Sequence, residues 1–375
     1  MKFTVSSSSL SNRLQAISRV INAKNTMAIL DCFYFELHQG VLTITASDTE
    51  NVVQTKVETT ENDMDGTFAI PAKTMLDILK EIPEQPLQFD IDTETLAINV
   101  KYLNGIYNLV GQDPDAYPME VPMNDQNTQV SLEGSMLLNE INRTLFAAAD
   151  DELRPVMNGL FFDFEPDAVT FVASDGHKLV RSKSLLTTGL EERKSFILPK
   201  KPASLLKNLL AKEQGNISIA FDERFASFES TEFSLICRLI DGRYPSYNSV
   251  IPQNNPYQIT VDRQMMIGVL RRVSIFSSQA SSLIKMRLLP DQIVVSAQDI
   301  DFSTSAEESL ICQYNGNEMS IGFKSSFLID ILNNIPSSEV IFQLADPSRA
   351  GVIIPSEQNE NEDLLMLLMP MMLND

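Results

Sequence analysis

The residues with the most chemical potential stand together at Ser174, Asp175 and His177. A hydroxyl, a carboxylate and an imidazole are the parts of a nucleophilic triad. Their adjacency argues against one, because neighbours along a strand point to opposite faces and do not converge on one reacting atom. An acid–base pair of Asp175 and His177 is the enzymatic alternative that remains. The other histidine, His38, reads as a solvated strand-end residue. Two histidines and three scattered cysteines (Cys32, Cys237, Cys312) lack the spacing of a zinc site or a disulfide framework. No metal is expected, and the thiols read as buried apolar groups in a reducing compartment. With no Gly-x-Gly-x-x-Gly and no Walker loop, no cofactor is expected either.

Charge is the stronger signal. The 375 residues carry 29 Lys+Arg against 50 Asp+Glu, a net of −21, which taken alone argues against nucleic acid. Its distribution argues the other way. Six segments with helical periodicity (9–24, 71–82, 135–150, 199–212, 262–278 and 322–335) hold fourteen bases against six acids, a balance of +8 that leaves −29 on the rest. The bases are Arg13, Arg19, Lys24, Lys73, Lys80, Arg143, Lys200, Lys201, Lys207, Lys212, Arg263, Arg271, Arg272 and Lys324. Lys and Arg suit helix surfaces, but so does Glu, which is nearly absent here. If all six segments face one way, they form a basic surface that meets phosphates without reading bases.

The elements that would position these residues occur three times. A short strand precedes an amphipathic helix at Phe3-Thr4-Val5, Val130-Ser131-Leu132 and Ile259-Thr260-Val261. A strand ends in Ala-polar-Asp at Asp48, Asp175 and Asp299, and an aromatic- or Met-Pro step closes each unit at Pro118, Pro245 and Pro370. The spacings stay between 124 and 129 residues, a period that fits a whole domain rather than a solenoid unit. Three domains follow, 1–125, 126–253 and 254–375, with polar linkers at 121–129 and 251–258. Each reads as two halves of strand, helix and three alternating strands, an α+β domain with its helices on one side of antiparallel sheet. The expected helices are 10–21, 73–82, 136–149, 201–211, 265–276 and 324–335. The acidic stretch 357–363 reads as a solvated loop. No signal peptide is apparent, and the longest apolar run, 364–373, is too short to span a bilayer. A soluble, cytoplasmic protein with no membrane partner is expected.

The segments Arg154-Pro155-Val156-Met157-Asn158-Gly159, Ser174-Asp175-Gly176-His177-Lys178-Leu179, Asp241-Gly242-Arg243-Tyr244-Pro245 and Met369-Pro370-Met371-Met372-Leu373 are jointly specific. With them the chain resembles, over essentially its full length, the DNA polymerase III beta subunit, the bacterial sliding clamp. The resemblance implies a head-to-tail homodimer of three clamp domains per chain, closed into a ring around double-stranded DNA. Of the bases above, all but Arg263 and Lys324 would face the duplex. It also implies a peptide pocket lined by Met157, Ser174, Gly176, His177, Lys178, Leu179, Pro245, Ser249, Val250, Lys324, Phe327, Leu367, Leu368, Met369, Pro370, Met371 and Met372. Its partners would be the polymerase III alpha subunit, the clamp loader, and other polymerases and repair proteins carrying a short motif with a glutamine and terminal leucine and phenylalanine. Tyr107, Ile275 and Phe276 resemble subunit-interface positions, with domain core as their plainer role. Two departures stand out: Met372 and Ser249 replace residues that are commonly basic in the family. Apolar contact is therefore expected to hold peptides here more than charge does. Two rival readings remain, an enzyme on a triplicated scaffold and an adaptor that binds only proteins.

Overall fold

The computed structural model describes residues 1–118 and 127–373. Among these, six α-helices interrupt the strands: α1 Ser7–Ile17, α2 Ala72–Glu81, α3 Gly134–Thr144, α4 Lys200–Leu210, α5 Arg263–Val273 and α6 Ser325–Asn333. Each repeat runs twice through strand, helix and three strands. In the first repeat, Lys2–Ser6, α1, Cys32–His38, Val41–Ser47 and Asn51–Glu58 are followed by Gly66–Pro71, α2, Pro86–Ile91, Ala97–Tyr102 and Gly105–Val110.

The first helix of each repeat starts two or three residues before the apolar residue taken as its beginning, because the cap comes first. The Ser6 hydroxyl accepts from the Ser9 N–H (3.1 Å) and the Asp262 carboxylate from the Met265 N–H (2.7 Å). The same three helices also end earlier than expected. α1, α3 and α5 each give way to a 3-10 turn, at Ser18–Val20, Leu145–Ala147 and Ser274–Phe276, whose tighter bonds satisfy the last carbonyls. Leu10, Leu14 and Ile17 fall one per turn on α1 and are fully buried. Met266, Ile267, Leu270 and Val273 do the same for α5, leaving Arg271 and Arg272 exposed. α1 packs on α2 and on strands 41–47 and 51–58; α5 packs on α6 and on strands 292–299 and 304–311.

The halves of a repeat are interlocked. The leading strand of each half joins the sheet of the other half: 2–6 pairs with 86–91, and 66–71 pairs with 32–38. Register then stacks aromatic rings across the exchange, Phe3 on Phe89 (4.9 Å) and Phe35 on Phe68 (4.8 Å). The same exchange recurs in the second repeat (128–133 with 216–221, 194–199 with 159–165) and the third (257–262 with 339–344, 319–324 with 283–289).

Sheets also run through the repeat boundaries. Strand 51–58 pairs antiparallel with 233–238, and 178–185 pairs with 362–368. The contacts consequently gather into two units, Met1–Leu138 with Lys201–Leu239, and Asn139–Lys200 with Ile240–Asp375, each built on one long sheet and one four-stranded sheet. The middle repeat gives one half to each.

The first linker, expected over 121–129, lies outside the described residues through 126. The second is shorter than expected, since strand Tyr257–Asp262 has already begun. It is also packed: Ile251 is buried, and the Asn255 amide donates to the carbonyls of Gln343 (2.9 Å) and Ala350 (3.1 Å). The acidic stretch 357–363 is not wholly a loop. Glu362 and Asp363 open strand Glu362–Leu368 and pair with Arg143 and Arg181. His38 is exposed, but it is paired with Asp65 (2.8 Å) rather than simply solvated.

Candidate functional site

Ser174 ends strand Ala168–Ser174, and Asp175 begins the turn that returns as strand Lys178–Leu185. The Asp175 carboxylate accepts from the N–H groups of His177 (2.8 Å) and Lys178 (2.9 Å) and pairs with the Lys178 ammonium (2.5 Å). Burial works to raise its pKa, but the Lys178 bonds prevail and hold it below the ordinary aspartate value. The Ser174 hydroxyl donates to the Lys178 carbonyl (2.8 Å). Serine and aspartate are thus committed to shaping the turn, and His177 is exposed with its ring 6.1 Å from Phe327. The acid–base reading of Asp175 and His177 has no assembled geometry. Gly176 has φ +90, which a side chain would strain, and a Cβ there would meet the Arg154 guanidinium at 3.0 Å.

The C-terminal segment lies against this turn. Strand register places Leu179 opposite Leu367 and Lys178 opposite Leu368. The chain then continues with the Met369 N–H donating to the His177 carbonyl (2.8 Å) and the Met371 N–H to the Gly322 carbonyl (2.8 Å). Gly322 permits that approach, since a Cβ would lie 2.7 Å from the Met371 carbonyl oxygen. Phe327 of α6 sits beneath two ammonium groups, Lys178 at 4.1 Å and Lys324 at 4.5 Å from the ring centroid.

The residues expected to line a pocket divide by depth. Met157, Ser174, Lys178, Leu179, Leu367 and Leu368 are buried, the level on which a pocket floor would lie. Lys324, Phe327, Pro370 and Met371 are half-buried, while Gly176, His177, Pro245, Ser249, Val250, Met369 and Met372 are exposed. Leu179 and Leu367 share a core cluster with Phe161, Tyr244, Tyr247 and Ile251, which seats the 3-10 turn Tyr247–Val250 beside them. Sequence reasoning missed the group that ties this turn down. Asp163, buried, accepts from the Tyr247 hydroxyl (3.1 Å) and from Nε and Nη2 of Arg193 (both 2.6 Å). Burial, and then Asp163, push the Tyr247 phenol up to about 12. The signal was there in Phe161-Phe162-Asp163-Phe164, an acid inside an apolar strand, which needs a partner.

The basic residues also divide. Lys24, Lys73, Lys80, Lys207, Lys212 and Arg271 are exposed and form no ion pair among the described residues. Arg19, also exposed, bonds the Asn208 side chain (2.6 Å) and forms no ion pair among the described residues. The rest are engaged: Arg13 with Glu232, Lys201 with Asp48, Lys200 with Asp150, Arg272 with Glu308, and half-buried Arg143 with Glu140 and Glu362. Arg263 binds the Ser337 and Leu332 carbonyls. Arg13, Arg19 and Lys212 border a cleft of about 1370 Å³ beside α1, which Glu58, Glu84, Glu213 and Glu232 border too. Of the residues that resemble interface positions, Ile275 is 77% exposed, which excludes the domain core. Tyr107 is half-buried, stacked on Tyr102 (5.2 Å) in the edge strand Gly105–Val110.

Three repeats of an interlocked two-half α+β domain, with sheets continued across the repeat boundaries, define the class of DNA clamps. The DNA polymerase III beta subunit is matched throughout: its N-terminal domain by residues 1–122, its central domain by 131–246 and its C-terminal domain by 248–372. The chain belongs to the DNA polymerase III beta subunit family. It is 26% identical over 373 residues to the beta sliding clamp of Pseudomonas putida and 27% identical over 377 residues to that of Haemophilus influenzae, with 100% of each chain covered. The crystal structure of DNA polymerase III subunit beta from Pseudomonas aeruginosa superposes with a TM-score of 0.93 at 25% identity, again over 100% of both chains. The function of the chain is accordingly that of a sliding clamp, a non-catalytic processivity factor for DNA polymerase III.

Proposed function

We propose that two copies of this chain join head to tail into a ring that encircles duplex DNA and presents a peptide pocket on each copy. One observation carries the ring. The two internal joints have the same construction: the last strand of a first half (51–58, 178–185) pairs antiparallel with the last strand of the following repeat's second half (233–238, 362–368). Among the described residues, the third set of equivalent strands, 304–311 and 105–110, pairs on one side only, each ending its four-stranded sheet. Unpaired edges of matching kind invite the same joint between copies, and a repeated heterologous joint closes when its rotation divides a full turn. Tyr107 and the exposed Ile275 and Phe276 belong to that joint. The exposed bases of the helices face the duplex and act without base readout.

The pocket on the floor described above receives an apolar short motif of the polymerase alpha subunit, the clamp loader, or other polymerases and repair proteins. Such a protein works in the cytoplasm. Among the described residues, no helix is long and apolar enough to cross a membrane. The repeat boundaries 1–125, 126–253 and 254–375 are the proposed domain limits.

The deciding experiment combines solution mass with topology. Light scattering should return twice the 41.9 kDa of one chain. Loaded protein should stay on nicked circular DNA and be lost once that DNA is linearised. Equal retention on both forms would refute encirclement. Binding of a Gln-Leu-x-Leu-Phe peptide, abolished by deleting residues 369–375, tests the pocket.

A further inference from the structure

We propose that the turn Ile300–Ser303 is a contact between copies of this chain, in which Ile300 and Phe302 close over Val110 of a second copy. This rests on the head-to-tail reading above and assigns that joint residues which the reading does not require.

Three equivalent turns follow the three Ala-polar-Asp landmarks. In each, the aspartate carboxylate accepts from backbone N–H groups two and three residues on: Asp48 from Glu50 and Asn51, Asp175 from His177 and Lys178, Asp299 from Asp301 and Phe302. The first two turns have a second task. The Glu50 carbonyl accepts from the Arg238 N–H (2.9 Å), and the His177 carbonyl accepts from the Met369 N–H (2.8 Å). Each turn thus caps the end of the strand with which its own following strand is paired.

The third turn is built differently. Strands start three residues after Asp48 and Asp175, at Asn51 and Lys178, but five after Asp299, at Thr304. The longer turn carries Ile300 at 80% and Phe302 at 76% exposure, where the first turn has Thr49 and Glu50 and the second Gly176 and His177. Two large apolar side chains at a turn tip are a docking feature rather than an ordinary surface.

The pairing direction identifies what they meet. In both internal joints the start of the first-half strand faces the end of its neighbour: Asn51 opposite Cys237, Lys178 opposite Leu368. The same direction sets Thr304 at Val110 and Ile311 toward Ile106. Val110, Ile106 and Ile311 are 73%, 58% and 83% exposed, and Gly105–Val110 holds no charged residue. An apolar turn therefore meets an apolar strand end, continuous with the proposed joint. The occupant is a second copy, because the edge to be capped is this chain's own.

The test uses the full chain and sedimentation equilibrium. The double variant Ile300→Ser/Phe302→Ser changes exposed turn residues only, and an unchanged circular dichroism spectrum and unchanged binding of a Gln-Leu-x-Leu-Phe peptide will show that each copy is intact. Its dimer dissociation constant should rise about tenfold or more. Phe302→Ser and Val110→Ala should be non-additive in a double-mutant cycle. A wild-type dimer that the turn variants leave unweakened, or strict additivity with Val110→Ala, overturns the contact alone. A wild-type chain that stays monomeric overturns the head-to-tail reading and this contact with it.

Discussion

Two carboxyls, half-buried Asp175 and buried Glu140, behave oppositely, and each can be tested. Asp175 neutralises Lys178, whose side chain is only 7% exposed. Asp175→Ala leaves that ammonium buried without its partner and should destabilise the chain by about 3 kcal/mol in chemical denaturation. Less than about 1 kcal/mol would show the pair to be dispensable. Glu140 on α3 is buried, and burial raises its pKa above 4.5 despite Arg143 at 3.4 Å and the hydroxyls of Ser182 and Ser184. Its Oε2 has no hydrogen-bond partner among the described residues, and Glu362, also bound to Arg143, adds repulsion. The folded chain therefore holds this proton longer than the unfolded chain does. The contribution of Glu140 is full below about pH 4.5 and declines as pH rises toward the folded value. Glu140→Gln should gain melting temperature relative to wild type as pH is raised from 4.5 to 7. A difference constant with pH would refute the raised carboxyl.

At the scale of the element, strands and helices owe their placement to a few close approaches and a few free charges. A Cβ on Gly159 would collide with the Leu198 carbonyl, where strand Gly159–Glu165 pairs with Lys194–Pro199. Gly159→Ala should cost about 1–3 kcal/mol through forced separation of these strands, read as a lowered denaturation midpoint. No change would mean that the strands part freely. On α5, Arg271 is exposed and unpaired among the described residues, whereas Arg272 is held by three hydrogen bonds to Glu308 (2.7, 3.0 and 3.2 Å). Arg271→Glu should therefore shorten retention on circular DNA more than Arg272→Ala does. The reverse order would place Arg271 away from the duplex.

For the whole molecule, two salt dependences should separate. Phosphate binding by spread bases releases counterions, so DNA retention should fall steeply with salt. The proposed peptide pocket lacks a cation at Ser249 and Met372, Asp175 neutralises Lys178, and Lys324 stands over Phe327. Peptide affinity should consequently change less than about threefold between 50 and 300 mM salt. A steep decline would mean that charge, with Lys324 foremost, dominates recognition.

Much was determined by the sequence alone. The period of the Ala-polar-Asp and X-Pro landmarks announced three domains, and alternation against 3.6-residue periodicity announced strand, helix and three strands in every half, because local periodicity is set by which face is buried. The Met-Pro-Met tail and the Ser-Asp-Gly-His turn carried the family. Only the tertiary structure decided what depends on long-range register. It exchanged the leading strands between halves, split the middle repeat between two units, and brought Asp163 to Tyr247 across 84 residues. It also divided the helix bases into free cations and paired ones. No local pattern encodes a cross-strand partner, because pairing is chosen by the burial and hydrogen bonding of both strands together.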